Sequence, residues 1–405
     1  MYQQIPMNRA KIVVSVGVMT SLISYLYTII TGEYNGDFSK MDCNLPPSVL
    51  LIVLLFTVIP YLYLFYEYRR SYKIARKHLS YNPYTYSKYN TKTILILSWV
   101  TLLGLAYFYI IGYGVLGEGR AVMSSGILSI LRSIIYKFLS YSPWVITYFI
   151  CAQNKHLFAI TALLFLIVNI LHHSISGFYT LFLILLYKYG SISKLFKKYL
   201  FLIIISAVSI LPLGISMIYG IRDQLRTGEK HEYENPTEII YDRLIGRMSS
   251  FSNNAYILES APLLLAANSG LPDYFLVYDA LGIVGVRRSG FISTGVYIRT
   301  DLSGLTNEDY STMAGFGGVI VLSITKSLSI LMLNLLLIFI GIRTIFALTL
   351  KIGLSDAPGV ALFCTIGFAL SADVSELSSK ILGLLCMWLI ICFTAKRHHK
   401  KISDI

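Results

Sequence analysis

Long apolar runs alternate with short polar segments along this chain, and one polar stretch of nearly a hundred residues, 222–317, interrupts the alternation. A helix needs roughly 20 apolar residues to cross the hydrocarbon of a bilayer. We identify ten runs of about this kind, at residues 12–30, 49–65, 94–116, 138–151, 157–171, 175–187, 200–219, 318–342, 357–370 and 381–394. The pattern predicts an all-α polytopic membrane protein with about ten transmembrane helices and a large, partly helical loop.

Several of these runs are short for a membrane-spanning helix. The run 138–151 is expected to recruit part of the amphipathic segment 126–137, and 157–171 with 175–187 could form a tight or partly re-entrant hairpin. The number of spans therefore depends on how that pair is built. Three regions follow: residues 1–219 with about seven spans, the loop 220–317, and residues 318–405 with about three spans.

The distribution of basic residues predicts the orientation. With the N-terminus inside, the segments assigned to the cytoplasm hold 20 Lys or Arg, and the opposite side holds 13, of which eight are in the long loop. Short cytoplasmic loops are enriched in basic residues, whereas long loops cross the membrane largely regardless of charge. Both termini are therefore predicted to be cytoplasmic and the long loop external.

Composition supports the membrane class and narrows the partners. The chain is 55% hydrophobic and 14% charged, with a mean hydropathy of +0.65, whereas soluble domains carry roughly 25% charged residues. The net charge of +13 is mostly explained by orientation, so a nucleic-acid partner is not expected. Most of the five cysteines lie in or beside apolar runs and do not suggest a disulfide scaffold.

Basic residues in the long loop are almost all arginine. Seven of eight are Arg, whereas the cytoplasmic segments hold 14 Lys and 6 Arg, and the loop is net acidic, with 12 acidic residues against eight basic ones. Guanidinium groups bind phosphate or carboxylate through two parallel hydrogen bonds. The preference for arginine over lysine in this loop therefore predicts local sites for an anionic ligand and not a general positive surface.

A helix is predicted inside the loop from Asn235 to about Leu258. The sequence Asn-Pro-Thr-Glu at 235–238 has a capping residue, a proline in the first turn and a glutamate that can bond back to the cap. Arg243 and Arg247 lie one turn apart on this helix with no acidic residue three or four positions away. Their compensation must come from a tertiary carboxylate or from a ligand anion.

Further candidate positions lie outside this helix. Arg120, just outside the third run, could reach a pyrophosphate at the bilayer surface or could serve only as an interfacial anchor. The semi-apolar segment 261–280 could lie on the membrane as a lid around a lipid substrate. Lys326 falls inside the run 318–342, where a lysine is either functional or reaches back to the interface if the helix begins later.

Several motifs are missing from the sequence. It contains no Walker loop, no Asp-x-Asp, no His-Glu-x-x-His and no cysteine cluster, so no cofactor or metal is expected. An external site also has no nucleotide triphosphate to use, and an activated donor must arrive already attached to a carrier. A polyprenyl pyrophosphate meets that need.

The layout resembles the O-antigen polymerases, the Wzy family. The resemblance rests on length, on ten or so spans with both ends inside, on the arginine-rich loop late in the chain, on Arg120 and on a small-residue turn at Ser174-Ile175-Ser176-Gly177. The chain lacks the arginine that many relatives place after this turn, so we interpret Ser174–Gly177 as structural. The resemblance covers the whole chain as architecture and carries no specific motif.

This resemblance implies a glycosyltransferase in a bacterial inner membrane that needs neither metal nor nucleotide. It would transfer the growing glycan from undecaprenyl pyrophosphate to a lipid-linked repeat unit at the periplasmic face, and a chain-length regulator could be a partner. Arginines would stabilise the departing pyrophosphate; the candidates are Arg243, Arg247, Arg287, Arg288, Arg299, Arg120 and Arg222. A general base would accept the proton of the attacking sugar hydroxyl; the candidates are Asp301, Glu308, Asp309 and His231.

Two other functions remain open from the sequence. An O-antigen ligase shares the donor and topology but transfers the glycan to lipid A core. A flippase or other transporter of lipid-linked oligosaccharides would be expected to place charges within its spans and to have two related halves. This chain has one such charge and no visible repeat.

Overall fold

The computed structural model describes residues 8–79, 88–115, 127–140, 142–174, 176–189, 245–266, 270–282, 293–304 and 313–403. These residues are helical apart from turns and one isolated antiparallel bridge between Glu33 and Asp42. Within these ranges, five helices are long and apolar enough to cross a membrane, by length and composition. The all-α class with membrane-length helices is thus confirmed for the described residues, and the predicted number of ten spans stays a prediction because the run 200–219 lies outside them.

The helices are numbered along the described residues. The first seven are α1 Asn8–Thr31, α2 Pro47–Leu79, α3 Lys88–Ile110, α4 Ile127–Ser140, α5 Trp144–Cys151, α6 Lys155–Leu171 and α7 Ser176–Tyr189. A short 3-10 helix, Gly36–Phe38, lies in the connection between α1 and α2. We call residues 32–46 the first outer connection, because the charge pattern predicts this side to be external.

The remaining helices follow the segment 190–244. They are α8 Phe251–Glu259, α9 Ala261–Ala266, α10 Phe275–Leu281, α11 Thr294–Tyr297, α12 Gly315–Ile324, α13 Leu328–Ile352, α14 Ala357–Ser371 and α15 Val374–Ser403. A π-helical turn, Ile298–Leu302, continues α11. Helix α14 is buried at 12 of its 15 residues and packs against α2, α5, α13 and α15, so a helix that is apolar on all sides lies inside the bundle.

The predicted span 318–342 is wrong as a single helix. Helix α12 ends at Ile324, and α13 begins at Leu328, where the Ser327 side chain accepts a hydrogen bond from Ile330 N. Asn334 Nδ2 donates to Ser323 Oγ over 2.8 Å, although these residues would be about 16 Å apart in a continuous helix. The chain therefore folds back between α12 and α13.

The fold-back changes the setting of Lys326. It lies in the turn between the two helices, with Nζ 3.9 Å from Asp273 Oδ1. Of the two predicted settings, the structure shows the one in which the long helix begins later, at Leu328. The run 138–151 is also divided: the amphipathic α4 ends at Ser140, and α5 begins after Pro143. Proline has no N–H to continue a helical ladder, which explains this second break.

A buried polar cluster joins four helices at their predicted cytoplasmic ends. Asp356 caps α14 through Gly359 N (3.0 Å) and accepts a hydrogen bond from Tyr187 OH (2.9 Å), which lies 3.1 Å from Tyr68 OH. Lys188 Nζ donates to the carbonyl oxygens of Phe149 and Ala152 at the end of α5. Burial raises the pKa of Asp356 to about 6, against the opposing effect of its hydrogen bonds and of nearby basic groups.

We expect the stability of the folded protein to rise as the pH falls through 6. A carboxyl group whose pKa is about 6 when folded and 3.8 when unfolded binds more protons in the folded state, so its ionised form costs up to about 3 kcal/mol above pH 6. Asp356→Asn removes this cost and should raise the unfolding temperature at pH 7.5 while flattening its rise between pH 7 and pH 5. Thermal unfolding in detergent measures both, and Asp42→Asn, on an exposed residue, is the control. An unchanged pH slope in Asp356→Asn contradicts the prediction.

Candidate functional site

Helix α8 lies between the first outer connection and helices α1, α2 and α12. Its apolar residues Phe251, Ala255 and Ile257 are buried, but so are the polar residues Ser252, Asn253 and Asn254. Buried polar groups need hydrogen-bond partners. Because these three side chains lie on different faces of the helix, their partners come from several other elements.

Asn35 joins the first outer connection to α1 and α8. Its Oδ1 atom accepts hydrogen bonds from Ser24 Oγ (2.6 Å) and Ser252 Oγ (2.5 Å), and its backbone N–H donates to Ser252 Oγ (3.2 Å). All three residues are fully buried. The connection is therefore folded back along α1 and held there by side-chain contacts.

Asn254 joins α8 to α2 and α12. Its Nδ2 atom donates to Thr57 Oγ1 (2.7 Å), and its Oδ1 atom accepts from Gly318 N (2.8 Å). A Cβ atom at Gly315 would lie 2.3 Å from Asn254 Oδ1, and one at Gly317 would lie 3.0 Å from its Cγ atom. The glycine-rich start of α12 thus lets the asparagine approach its backbone.

A charged group lies next to these contacts. Arg247 Nε is 3.5 Å from Asp37 Oδ1, and Asn253 Nδ2 donates to Asp37 Oδ2 (3.3 Å) and to Met313 O (2.7 Å). The Arg247 side chain is 40% exposed and that of Asp37 is 17% exposed. For Arg247, one of the two predicted forms of compensation is present: a tertiary carboxylate about 210 residues away in the sequence.

A second carboxylate, at the other end of α8, also contacts the first outer connection. Glu259 accepts hydrogen bonds from Tyr34 OH and from the backbone (3.2 Å) and Nδ2 (2.8 Å) of Asn44. Burial raises the pKa of Tyr34, and contacts with Cys43 and Glu259 raise it further, so the phenol remains a donor. Tyr256 stacks on the ring of Phe38, with centroids 4.0 Å apart. Both ends of α8 are therefore fixed to the first outer connection.

The predicted helix 235–258 is wrong in its last part. The described residues show a turn at Met248, where Met248 N donates to Ile245 O, and α8 starts anew at Phe251. Ser249 Oγ accepts from Phe251 N (3.1 Å), and Thr20 Oγ1 donates to Met248 O (3.1 Å). A serine that bonds to nearby backbone N–H groups competes with helix formation. The first part, 235–244, lies outside the described residues.

Three of the predicted site residues lie in the described part of the chain. Arg247 belongs to the charged group beside α8, while Arg299 and Asp301 lie in the π-helical turn 298–302. Asp301 is exposed and accepts from Thr300 Oγ1 (2.9 Å), and Tyr256 OH donates to Leu302 O (3.4 Å), which ties this turn to α8. The others lie outside the described residues: Arg120, Arg222, His231, Arg243, Arg287, Arg288, Glu308 and Asp309.

Sequence reasoning missed Asp37, Glu259 and the pair Asn253-Asn254. Asp37 belongs to a short outer segment whose acidic residues carried no signal, and Glu259 was counted only as one of twelve loop acids. Two adjacent asparagines in a segment that also contains Phe251, Tyr256 and Ile257 are the one local hint, because a polar pair buried with such residues needs partners.

The described residues contain no group of three or more His, Cys, Asp or Glu side chains that could hold a metal ion. Comparison of the chain with protein-family models, with characterised proteins and with solved structures returns no match. Any functional assignment therefore rests on the residues and their geometry.

Proposed function

We propose that this protein is a membrane glycosyltransferase that polymerises lipid-linked repeat units, in the manner of an O-antigen polymerase. The observation that carries the proposal is the fixed position of Arg247, one of the seven arginines of the long loop. Its guanidinium group contacts Asp37 through Nε, and two fifths of its side chain remain exposed. A guanidinium group held in this way can still receive an anionic oxygen through its other nitrogens.

The reaction requires positive charge next to the donor bond that breaks. The bond between the anomeric carbon of the growing glycan and the pyrophosphate oxygen breaks, and negative charge develops on the departing polyprenyl pyrophosphate. Preorganised cations at that position lower the barrier, usually more than any other single effect. Of the two candidate arginines in the described residues, Arg247 and Arg299, Arg247 is the one beside α8, and Arg243 and Arg288 are the sequence candidates expected to act with it.

The segment after α8 suits a lipid-borne substrate. Helices α9 and α10, with the residue just before α10, leave several large apolar side chains exposed, namely Leu263, Leu265, Tyr274 and Leu281. Short helices with exposed apolar side chains are typical of segments that lie at the surface of a bilayer. We propose that they contact the acyl chains of membrane lipids or the polyprenyl chain of the substrate.

Arg247→Ala is expected to abolish long glycan chains while leaving the protein level unchanged, and Arg243→Ala and Arg288→Ala should do the same. Loss of one preorganised donor to a developing oxyanion typically costs about 100-fold or more in rate. Gel analysis of lipopolysaccharide from a deletion strain complemented with each variant measures chain length. Arg132→Ala, on exposed α4, is the control. Wild-type chain length in all three variants would sink the assignment.

The same gel separates polymerase from ligase. A strain without the polymerase retains lipopolysaccharide with at most one repeat, whereas a strain without the ligase retains none. The direct test incubates the purified protein with a synthetic polyprenyl-pyrophosphate repeat unit and no added metal or nucleotide. A ladder of products supports the proposal, and the absence of any new glycosidic bond contradicts it.

One observation favours a transporter as a second candidate. Transporters commonly contain interrupted helices, and the chain is interrupted between α12 and α13, where Ser323 meets Asn334. A transporter would move a fluorescent lipid-linked oligosaccharide across a vesicle membrane without forming a glycosidic bond. Measuring both outcomes in the same vesicles distinguishes the two functions.

A further inference from the structure

Helix α8 and the turn before it lie at the level of the middle of two spans. Thr57, which binds Asn254, is the central residue of the apolar run 49–65, and Thr20, which binds Met248 O, lies next to the centre of the run 12–30. By helical rise, Thr57 is about 15 Å from the outer end of α2, and Thr20 is about 16 Å from that of α1. The hydrocarbon layer is about 30 Å thick. Part of the stretch predicted as an external loop therefore reaches about half of this depth.

The first outer connection also reaches this depth, beside α8 and the turn before it. A Cβ atom at Gly36 would lie 2.8 Å from Gly246 O, so the backbones of these two residues are in direct contact. Arg247 follows immediately, and its side chain is 40% exposed. A charged side chain at this depth does not face hydrocarbon, and irregular backbone there is tolerated only inside protein or along a water-filled space. We infer that the exposed part of Arg247 faces water in a recess open to the outer side.

We call this the outer recess and define it by Asp37, Arg247, Ser250 and Asn253. Ser250 and Asn253 are 2% and 4% exposed. Among the described residues, Ser250 Oγ and Asn253 Oδ1 are buried with no hydrogen-bond partner. Such groups usually bind water or a ligand. The Asn253 amide oxygen and the Asp37 carboxylate are acceptors, and the Ser250 hydroxyl can donate or accept. A sugar hydroxyl, which also does both, therefore suits this set better than a phosphate, which only accepts.

We propose that the outer recess binds the acceptor sugar and that Asp37 is the general base for its hydroxyl. This inference rests on the proposed glycosyltransferase function. The hydroxyl oxygen attacks the anomeric carbon of the donor glycan, its proton passes to the Asp37 carboxylate, and the bond from that carbon to pyrophosphate breaks. The polyprenyl pyrophosphate leaves with the electron pair beside Arg247, and Asp37 later releases the proton to water in the recess.

The positions of the neighbouring groups fit these two roles. Asn253 Nδ2 holds Oδ2 of Asp37, and Arg247 Nε approaches Oδ1, so the carboxylate is fixed while 17% of the side chain stays exposed. In an in-line displacement the attacking hydroxyl and the departing pyrophosphate lie on opposite faces of the anomeric carbon, so Asp37 takes the proton on one side and the guanidinium nitrogens of Arg247 beyond Nε face the leaving group on the other. Asp301, predicted as a base, is exposed on the π-helical turn and bonds only locally, to Thr300, in the contacts described.

The test compares Asp37→Asn, Asp37→Glu and Asp42→Asn with the wild type in nanodiscs, using a synthetic polyprenyl-pyrophosphate repeat unit. Loss of a general base costs roughly 100-fold or more in the chemical step, so Asp37→Asn should lose at least about 100-fold in kcat with KM little changed. The acid limb of its kcat profile against pH should disappear. Asp42, exposed on the same connection, should be replaceable without effect.

The outcomes separate this inference from the proposed function. If the wild type forms no glycosidic bond, the proposed function fails. If the wild type forms a ladder and folded Asp37→Asn stays within threefold of its rate, the base assignment is overturned and the function stands. If Asp37→Asn does not fold, Asp37→Glu decides: a slower reaction with a displaced acid limb supports the assignment, and an unchanged profile overturns it.

Discussion

Gly246→Ala is expected to abolish polymer formation by forcing apart the two backbones that form the outer recess. A Cβ atom at this position would lie 2.3 Å from Gly36 N and 2.6 Å from Gly36 Cα. Both are backbone atoms, so no side chain can rotate away to relieve the clash. Because Arg247 follows directly, any shift of residue 246 moves its guanidinium group away from Asp37. Overpacking of this kind typically costs about 1–3 kcal/mol of stability, and we expect more than tenfold loss of activity.

Activity and local structure are measured separately for this variant. Polymer length in a complemented deletion strain reports activity, and hydrogen exchange reports protection of residues 34–38 and 245–250. Gly270→Ala is the matched control, because a Cβ atom there meets nothing within 4 Å and the residue has no positive φ. Wild-type polymer and unchanged exchange in Gly246→Ala would show that the contact does not hold the recess together.

Asn254→Leu is expected to produce the largest loss of stability among the variants considered. The side chain is 1% exposed and holds α8 to α2 and α12 through Thr57 Oγ1 and Gly318 N. Leucine leaves the N–H of Gly318 without its acceptor and places branched carbon atoms against the glycine-rich start of α12. An unsatisfied buried polar group costs about 1–3 kcal/mol, and the clash adds to it, so we expect a loss of about 3 kcal/mol or more.

Thr57→Val tests one of the two hydrogen bonds by which Asn254 holds α8, the bond to α2. It removes the hydroxyl partner of Asn254 and should cost about 1 kcal/mol. In combination with Asn254→Leu its cost should be non-additive, as for residues in direct contact. Thr101→Val is the matched control, since Thr101 in α3 makes the same bond to the carbonyl four residues earlier. Additive losses measured by thermal unfolding in detergent would contradict a direct Asn254–Thr57 contact.

The helical class and most helix positions were predictable, because length and continuity of an apolar run are local properties of the sequence. Helices α1, α6 and α7 begin and end within a few residues of the predicted runs, and α14 begins at the predicted residue and ends one later. The break inside 318–342 was not predictable in this way. Thr325 and Ser327 flank Lys326 but interrupt the long apolar run only briefly, and the contacts that accompany the fold-back, with Asp273 and between Ser323 and Asn334, join residues that are not neighbours in the sequence.

Among the charged residues of the candidate site, only Arg247 was predicted from the sequence. Selection of arginine over lysine in the long loop indicated an anionic ligand, and Arg247 was among the candidates. Its partner Asp37 was not, since nothing in a short segment before α2 indicates which distant residue it meets. The burial of α8 among other helices was equally hidden, because its sequence, Phe-Ser-Asn-Asn-Ala-Tyr-Ile-Leu-Glu, has the polarity of a surface helix.

By itself, the sequence determined that this is a helical membrane protein in which one long segment holds seven of the 15 arginines and prefers arginine to lysine. Both are properties of composition and of runs along the chain, and they need no knowledge of contacts. Only the tertiary structure decided that part of this segment enters the helical bundle and that Asp37 meets Arg247 there. Glycine pairs let distant backbones touch, and buried asparagines must find partners wherever the fold supplies them.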